Sequence, residues 1–434
     1  MLTITNQSNY LAKVVQLGKP QKHPNADKLL IWNVSGYEVI TDLSSKEGDI
    51  KVFFPVECQI HDTILSYMNM YAHSELNQDK TKIGYISDSR RIKAVKLRGV
   101  VSDGIVLPIE KVIKSIDSVR SDGADTAYSI GELFDTVYGI VICNKYVPPV
   151  KEIRSGGGQG QPKKNPVKEF LIDGQFNFHY DTSKLPDNAW RFQNEDDEIV
   201  ITDKWHGTSA IFSNVLTKRK LSIWQKLGRF FGNDIPREEY SKMYASRSVL
   251  KSIEGKYHTP DQGYYNTDIW GKVFEDVKHV LFPGYTLYGE IVGYTGEKMI
   301  QKGYDYGCKP EEHRFLVYRV TVTSPFDGQV REYSREDIAD FCKEHKLECV
   351  PELYRGTLKD FMTIHSDFQN NESLLDCLKR IYLEQDCIHC KTKVPAEGIC
   401  IRNESGSKIA YKLKSKRFLL GESAALDAGE EVVE

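Results

Sequence analysis

The chain has no apolar run close to the roughly 18–20 residues of a membrane-spanning helix. Its first ten residues, MLTITNQSNY, lack the basic and apolar segments of a secretory signal. Both absences predict a cytoplasmic or otherwise intracellular protein without a membrane partner. A basic excess is also missing, because 58 Lys and Arg stand against 61 Asp and Glu. Any surface that binds a polyanion must therefore be a local patch.

The nine cysteines are an odd number without regular spacing, which indicates reduced thiols rather than a disulfide framework. The run DCIHCKTK brings Cys387, His389 and Cys390 to the spacing of a zinc knuckle. A closed structural zinc site takes four ligands, usually from two such pairs, and the sequence has no second pair. Thiols without metal are the favoured interpretation, and zinc is the alternative.

The segment from Pro148 to Pro166, PPVKEIRSGGGQGQPKKNP, has the composition of a flexible linker. A linker of this kind predicts few obligatory contacts between the modules that it joins. No internal repeat is visible, and nothing in the sequence implies an oligomer. The predicted divisions are an N-terminal module at 1–147, a linker at 148–168, a C-terminal module at 169–421 and an acidic tail at 422–434.

The N-terminal module is predicted to be a small β-barrel or sandwich. Its short segments are rich in β-branched and aromatic residues and are separated by Gly, Asn and Asp. The predicted strands are AKVVQLG, KLLIWNV, YEVITDL, DIKVFFPV and RIKAVKL with GIVLPI.

Two stretches of this module resemble OB-fold domains of the tRNA-binding kind. HPNADKL, which starts at His23, resembles the loop between the first two strands, and KAVKLRGVVSDGIVLPI resembles the closing strands. OB barrels commonly bind single strands through a basic groove and stacked aromatics, and Lys93, Lys96 and Arg98 suggest such a face. The alternative is a structural β-domain in which Pro-Asn-Ala-Asp merely forms a turn.

The C-terminal module mixes strands and amphipathic helices, so its pattern is α+β. Ser334 and Asp337 form a possible capping box at the start of one helix, and NESLLDCLKRIYLEQ predicts another. The strand KIAYKLKSKRF alternates, with apolar side chains on one face. Its other face carries Lys408, Lys412, Lys414 and Lys416. Lysines on one face repel each other unless an anion lies over them, although a solvated edge is the simpler alternative.

Three further positions suggest a site for a nucleotide. Lys204 lies in the turn KWHGTS between two apolar runs, Glu290 lies within YTLYGEIVGY, and Glu397 precedes an alternating strand. Each has an ordinary structural explanation when taken singly. Together with the lysines they combine cations for a phosphate chain with a carboxylate for a divalent metal. Lys204 would then be the nucleophile.

A lysine amine attacks phosphorus only when neutral, and its ordinary pKa of about 10.4 leaves little neutral amine at pH 7. We therefore expect the pKa of Lys204 to be lowered by Lys412, Lys414 and a bound metal, and by the apolar setting of Trp205. Gly207 would let a phosphate approach the backbone closely.

The ordered motifs resemble those of covalent nucleotidyltransferases. The K-x-H-G turn at Lys204, His206 and Gly207 resembles motif I in the form that RNA ligases use. Further segments resemble motifs Ia, III, IIIa, IV and V, namely YASRSVL, LYGEIVG, FLVYRV, EGICIR and YKLKS. The resemblance covers nearly all of 169–418. Because the OB-like module comes first, the chain resembles the ATP-dependent RNA ligases that have an N-terminal OB domain.

The resemblance implies an enzyme that uses ATP with Mg²⁺ or Mn²⁺ to seal 3′-OH and 5′-phosphate RNA ends, at nicks in a duplex, through a lysyl-adenylate. It implies Lys204 as the catalytic residue and Glu397 as the metal ligand. Motif IIIa departs from many relatives, so the stacking aromatic is either Tyr318 or Phe315. The implied nucleotide contacts are His206, Gly207, Arg247, Glu290, Phe315, Tyr318, Lys412 and Lys414.

Two other functions stay open at this point. One is a guanylyltransferase of the capping type, and the other is a non-catalytic RNA-binding protein on a ligase scaffold. A long basic stretch between motifs I and Ia, TKRKLSIWQKLGRFFGNDIPREEYSK, is either a substrate-binding insertion or an ordinary surface helix.

Overall fold

The structure is a computed structural model. It describes residues 2–5, 9–117, 127–148, 166–179, 182–232, 234–259, 265, 267–367 and 371–429. Most of the predicted linker lies outside the described residues, as does the end of the predicted acidic tail.

The N-terminal module is built from short strands around two apolar clusters. Strands β2, β6 and β10 form one antiparallel sheet with β11, in the order β10-β6-β2-β11, and β3, β4 and β5 form another. The described strands are β1 (Leu2–Thr3), β2 (Ala12–Gln16), β3 (Gln21–Lys22), β4 (Leu29–Val34), β5 (Tyr37–Asp42), β6 (Ile50–Pro55), β7 (Cys58–Ile60), β8 (Val95–Leu97), β9 (Val100–Ser102), β10 (Gly104–Pro108), β11 (Leu133–Phe134), β12 (Thr136–Val137), β13 (Ile140–Val141) and β14 (Cys143–Lys145). Two helices accompany them, α1 (Asp62–Tyr67) and α2 (Ile109–Asp117).

Local sequence explains the best-defined hairpin of this module. Strands β4 and β5 are joined by Ser35 and Gly36, which both have positive φ, at 51° and 86°. A two-residue loop with this conformation matches the twist of the strands that it joins. Trp32 and Val39 then lie opposite each other and are buried.

The two segments that resemble OB-fold domains lie together in the structure. His23 Nε2 lies 3.0 Å from the carbonyl oxygen of Leu97, and Asn25 Nδ2 donates to the carbonyl oxygen of Arg98 at 2.9 Å. The Pro-Asn-Ala-Asp loop is therefore attached to the β8–β9 hairpin. The predicted β-rich N-terminal fold is confirmed.

The C-terminal module contains two larger sheets. The described strands are β15 (Ser183–Lys184), β16 (Glu198–Lys204), β17 (Thr208–Lys218), β18 (Glu238–Ser246), β19 (Leu250–Ile253), β20 (Tyr257–His258), β21 (Tyr285–Thr295), β22 (Lys298–Met299), β23 (His313–Thr323), β24 (Val330–Glu332), β25 (Glu348–Cys349), β26 (Glu352–Thr357), β27 (Gly398–Asn403) and β28 (Ala410–Lys414). The helices are α3 (Leu185–Asn188), α4 (Ile223–Phe230), α5 (Ile269–Val277), α6 (Arg335–Glu344), α7 (Leu358–His365), α8 (Leu374–Tyr382) and α9 (Lys416–Asp427).

One sheet has the order β15-β28-β27-β16-β26, and the other follows β20-β19-β18-β17-β21-β23-β24. Helices α3, α7 and α8 cover one face of the first sheet, and α5 and α6 cover one face of the second. The opposite faces of the two sheets meet in a cleft, and residues 167–176 cover part of that face on the second sheet. The α+β prediction for this module is confirmed.

Both predicted helices form, within narrower bounds. Helix α6 begins after Ser334, and the predicted capping box with Asp337 is complete. Helix α8 begins after Ser373, whose side chain accepts a hydrogen bond from the backbone of Asp376. The predicted strand around residue 411 is shorter than expected, because Ser415 caps helix α9. That helix continues to Asp427, through the first residues of the predicted acidic tail. No helix among the described residues is long and apolar enough to cross a membrane.

The two modules are joined by many polar contacts, so the expectation of few obligatory contacts is wrong. The contacts between the modules include Tyr37 Oη to Asp187 Oδ2 at 2.9 Å, Arg91 Nη2 to Asp427 Oδ1 at 2.7 Å, Lys93 Nζ to Asp427 Oδ2 at 2.8 Å, Lys379 Nζ to the Gly36 carbonyl oxygen at 2.6 Å, and Lys416 with Glu38. Lys93, predicted to lie on a nucleic-acid face, is therefore part of the contact between modules.

Candidate active site

The floor of the cleft is one face of the sheet that contains β16, β27 and β28. Lys204 ends β16 and pairs with Gly398 of β27, which in turn pairs with Lys414 of β28. Two residues further along each strand, Thr202 pairs with Cys400, and Cys400 pairs with Lys412. Since side chains alternate across a strand, Lys204, Lys412 and Lys414 share the face that points into the cleft.

The opposite face of the same sheet is apolar. Tyr411 and Leu413 pack with Ile399 and Ile401 in the core beneath the floor. The predicted alternation in β28 is therefore seen in the structure. Ile409 precedes the strand and is partly exposed, so it does not join this core.

A short ion pair connects the predicted nucleophile to the predicted metal ligand. Lys204 Nζ lies 2.5 Å from Glu397 Oε1, and the Lys204 side chain keeps 25% of its exposure. Glu397 is buried, and its other oxygen, Oε2, has no hydrogen-bond partner among the described residues. One carboxylate oxygen, Oε1, is therefore paired with the amine, and the buried Oε2 keeps its capacity to bind a ligand.

The expected lowering of the Lys204 pKa is wrong for the protein without ligands. Burial acts to lower the pKa of Lys204, and the nearby Lys414 acts in the same direction. The Glu397 carboxylate outweighs both, so the pKa of Lys204 lies above its usual value. In this state the ammonium form is favoured.

Glu290 lies on β21, across the cleft from the floor. Its Oε1 accepts a hydrogen bond from the Gly207 backbone N–H at 3.1 Å. Removal from water raises the pKa of Glu290 from 4.5 to about 8, although Lys204 opposes this shift. The protonated carboxyl is therefore favoured at neutral pH.

The K-x-H-G turn is held by close packing. Trp205 stacks on Tyr306 with ring centroids 4.4 Å apart, and the Tyr306 hydroxyl accepts the His206 N–H at 2.6 Å. A Cβ at position 207 would overlap the Ile291 carbonyl oxygen and the Val292 side chain. The approach of strand β21 therefore requires glycine here, and the expected approach of a phosphate stays a prediction.

The two candidate stacking aromatics face opposite sides of strand β23, because they are three residues apart. Tyr318 lines the cleft, where its hydroxyl lies 3.4 Å from Ser209 Oγ. Phe315 packs edge to face on Phe212 in the core, at 4.9 Å between centroids. Phe315 therefore packs in the core and does not line the cleft, which leaves Tyr318 as the candidate stacking residue.

A sequence profile described as RNA ligase matches residues 197–417, about half of the chain, and an OB-fold domain profile matches residues 11–109. The chain belongs to the RNA ligase family. Its N-terminal module is an OB-fold domain. No curated protein matches the sequence.

Solved structures of the Naegleria gruberi RNA ligase share this fold. One, a variant with AMP and Mn, is 15% identical with a TM-score of 0.57, over 94% of this chain and 98% of that chain. Another, with PPi, is 16% identical with a TM-score of 0.57, over 96% and 99% of the two chains. A third, a variant with ATP and Mn, is 14% identical with a TM-score of 0.56, over 98% and 99%. The likeness extends across both modules.

The structure brings most of the predicted site residues of this ligase-family chain to one cleft. Lys204, Glu290, Tyr318 and Lys412 line it directly, as do the other predicted residues except Phe315. The cationic side chains of the cleft outnumber its carboxylates. They are Lys204, Arg247, Arg319, Arg335, Arg402, Lys408, Lys412 and Lys414, against Asp203, Glu290, Glu332 and Glu397. Such a lining suits a polyphosphate.

Several lining residues were missed by the sequence reasoning. The His179 ring meets the Tyr318 ring edge to face at 5.2 Å, and Arg319 forms a two-pronged contact with Glu332 at 2.8 Å. Arg335 is buried at the start of α6. His179 lies in the run before motif I, which could have marked it. No local signal marks Arg335.

The residues present fit a divalent metal only if phosphate supplies most of the ligands. Among the residues that the structure describes, no group of three or more His, Cys, Asp or Glu is placed to hold a metal. Glu397 Oε2 is a buried oxygen of the cleft without a hydrogen-bond partner among the described residues. One carboxylate with substrate phosphates is the arrangement that Mg²⁺ commonly adopts.

The zinc alternative at Cys387 and Cys390 also requires a group of at least three metal-binding side chains, which the described residues do not provide. His389 lies between them, and its Nε2 is 3.0 Å from Asp203 Oδ2. Its ring centroid lies 4.7 Å from that of Trp205. Within the described part of the chain these cysteines therefore gain no third and fourth ligand. The cluster instead packs beneath the K-x-H-G turn.

Proposed function

We propose that the chain is an ATP-dependent RNA ligase that joins 3′-OH and 5′-phosphate ends, at nicks in a duplex, through an adenylate on Lys204. One observation carries the proposal. The amine of Lys204 lies beside a buried carboxylate with a partnerless oxygen, on the same sheet face as Lys412 and Lys414. These are the groups that nucleotidyl transfer needs: a nucleophile, a metal ligand and cations for phosphate.

The reaction has three balanced steps. Lys204 Nζ attacks the α-phosphorus of ATP, so an N–P bond forms and the bond to pyrophosphate breaks. An oxygen of the RNA 5′-phosphate then attacks the same phosphorus, which breaks the N–P bond and restores the lysine. Finally the 3′-hydroxyl oxygen attacks the 5′-phosphate, loses its proton, and releases AMP.

Lys204 must lose a proton before the first step. The protein holds that proton on an amine whose pKa is raised by Glu397, with Oε1 of that carboxylate at 2.5 Å. When bound at Glu397, a divalent cation supplies positive charge that neutralises phosphate oxygens and weakens the attraction of this carboxylate for the ammonium. Lys412 places further positive charge on the floor, and Lys414 lies beside it with its charge opposed by Glu57 and Glu422.

The nucleotide base and the RNA have separate places in this proposal. Tyr318 offers a ring to the adenine, and Arg247 offers a cation near Glu290. The OB-fold domain offers the exposed Lys96 and Arg98 beside the loop that contains Asn25 to the RNA. The proposal thus divides adenylation and RNA binding between the two modules.

A labelling experiment tests the chemical assignment. The full chain is incubated with Mg²⁺ and α-labelled ATP, and the labelled peptide is identified by mass spectrometry. We expect AMP on Lys204, no label on Lys204→Ala, and none on Lys204→Arg, because guanidinium stays protonated. Label on the Ala variant would refute the assignment.

Parallel reactions separate the remaining functions. A capping guanylyltransferase would be labelled by GTP rather than ATP, and a non-catalytic RNA-binding protein by neither. Sealing of nicked duplexes in each combination of RNA and DNA strands then tests the ligase activity. The proposal expects ATP labelling and a sealed product with an RNA strand at the nick.

A further inference from the structure

The insertion between β17 and β18 is a folded element that the candidate active site does not use. Its helix α4 begins after Ser222. The Ser222 side chain accepts from the Gln225 backbone, and the Gln225 side chain accepts from the Ser222 backbone. This complete capping box fixes the start of the helix.

Helix α4 presents large apolar side chains to solvent. Trp224 is 82% exposed and Phe230 is 84% exposed. The exposed apolar set is Ile223, Trp224, Leu227, Phe230 and Phe231. None of these side chains joins a core cluster of the described residues. A contiguous exposed apolar surface of this kind usually marks an interaction site.

The same insertion carries a local excess of positive charge. Residues 218–237 contain six basic residues against one acidic residue, in a chain whose net charge is −3. Lys220 and Arg237 are exposed, and Arg229 is half-buried on the helix. The occupant of this surface is therefore expected to be a polyanion.

Aromatic rings beside cations are the combination that binds single-stranded nucleic acid. Bases stack on the rings, and Lys and Arg contact the phosphates. The aromatic members here are Trp224, Phe230 and Phe231, and the last two rings meet edge to face at 5.5 Å. Because the chain belongs to the RNA ligase family, RNA is the polyanion at hand.

We propose that helix α4, with its basic flanks, is a second RNA-binding surface that holds single-stranded RNA extending beyond the duplex that contains the nick. The inference rests on the proposed function only in that this RNA is the ligase substrate. Strand β17 begins at Thr208, beside the K-x-H-G turn, and ends at Lys218. Ten residue steps of about 3.3 Å place the far end of β17 roughly 33 Å from Thr208, which lies beside the K-x-H-G turn. At that distance the helix contacts only RNA that extends well beyond the reacting ends, and not the nucleotide.

The test measures RNA binding directly. Fluorescence anisotropy follows the full chain binding an oligouridylate of about 20 nucleotides, which exceeds the roughly 4–16 nucleotides that one single-strand module covers. We expect the triple variant Trp224→Ala, Phe230→Ala, Phe231→Ala to bind at least about 10-fold more weakly, the loss of one stacked base. The control is Ile364→Ala, an exposed apolar residue on helix α7, which should bind as the parent does.

A charge variant tests the phosphate contacts separately. Lys220→Ala, Arg229→Ala, Arg237→Ala should reduce the slope of log affinity against log salt by about 2, at roughly 0.7 for each contact to a single strand. Unchanged oligouridylate affinity of the aromatic variant would overturn the proposal. The proposal would also be overturned if the aromatic variant lost binding to phosphatidylserine vesicles and kept its RNA affinity. The surface would then bind membranes.

Labelling of Lys204 by ATP is measured in the same preparations. Weaker oligouridylate binding with unchanged labelling supports an RNA contact that is separate from the chemistry. If the parent chain binds RNA through α4 but is never labelled, the proposed function fails while this inference stands.

Discussion

Lys414 Nζ of the C-terminal module lies 3.2 Å from Glu57 Oε1 of the OB-fold domain. Its second partner is Glu422 of helix α9, at 3.1 Å. Glu57 is itself oriented by the Tyr10 hydroxyl, which donates to Oε2 at 3.0 Å. The OB-fold domain therefore contacts a lysine of the cleft floor directly, and the two modules meet at the candidate site.

We expect Glu57→Gln to destabilise the full chain by about 1–3 kcal/mol, the usual contribution of a buried hydrogen bond to a charged group. Glu422 continues to hold Lys414, so the loss is partial. Urea denaturation of the full chain measures the effect. The matched control is Glu47→Gln, whose side chain is exposed on the same domain. Equal stabilities of the two variants would show that the Glu57 contact contributes nothing.

Removal of the OB-fold domain should separate the two activities. A chain that begins near Lys168 is expected to keep lysyl-adenylate formation and lose much of its nick sealing. The predicted nucleotide-site residues all follow the linker, whereas duplex binding needs additional phosphate contacts, each worth roughly −0.9 in the log–log salt slope. Sealing rate and salt slope are compared with those of the full chain. Loss of adenylation itself would mean that the OB-fold domain completes the nucleotide site.

Glu397→Gln should change both metal dependence and the ionisation of Lys204. The neutral amide no longer favours the ammonium, so the pKa of Lys204 should fall, because Glu397 raises it more than any other group does. Competitive modification of Lys204 by an amine reagent across pH measures this fall. Adenylation should also become far slower at limiting Mg²⁺. Glu297→Gln, at an exposed position, is the control; a rate unchanged at limiting Mg²⁺ would contradict the metal assignment.

Stability should depend on pH through Glu290. Its pKa is raised from 4.5 unfolded to about 8 folded, so the folded state favours the proton. The contribution of this raised pKa to the free energy of unfolding is fully present below about pH 4.5. It is lost as pH rises through about 8. Glu290→Gln cannot lose a proton, so its melting temperature should rise relative to the parent between pH 5 and pH 8.5. A difference that stays constant across this range would argue against the raised pKa.

The two aromatics of β23 should give opposite phenotypes. Tyr318→Leu is expected to raise the KM for ATP by about 10-fold or more with little change in stability, since base stacking contributes about 1–3 kcal/mol. Phe315→Ala should leave that KM unchanged and cost about 3–5 kcal/mol of stability, because it empties a core position. Steady-state adenylation and urea denaturation measure both quantities. The reverse pattern would restore Phe315 as the stacking residue.

Features that depend on neighbours along the chain were determined by the sequence alone. The alternation in β28 separates Tyr411 and Leu413 from Lys412 and Lys414 because successive side chains on a strand point to opposite faces. The capping box at Ser334 formed because its partner is three residues away. The ordered motifs likewise predicted the cleft around Lys204.

Features that depend on distances between remote segments were decided only by the tertiary structure. Lys204 and Glu397 are 193 residues apart, and Glu57 and Lys414 are 357 apart. The sequence suggested a lowered Lys204 pKa because it shows nearby cations without showing which charge is closest. Strand register placed the carboxylate at 2.5 Å, and the energy of a charge pair rises steeply as the distance falls in a site with little water. The sign of that pKa shift is therefore a property of the fold.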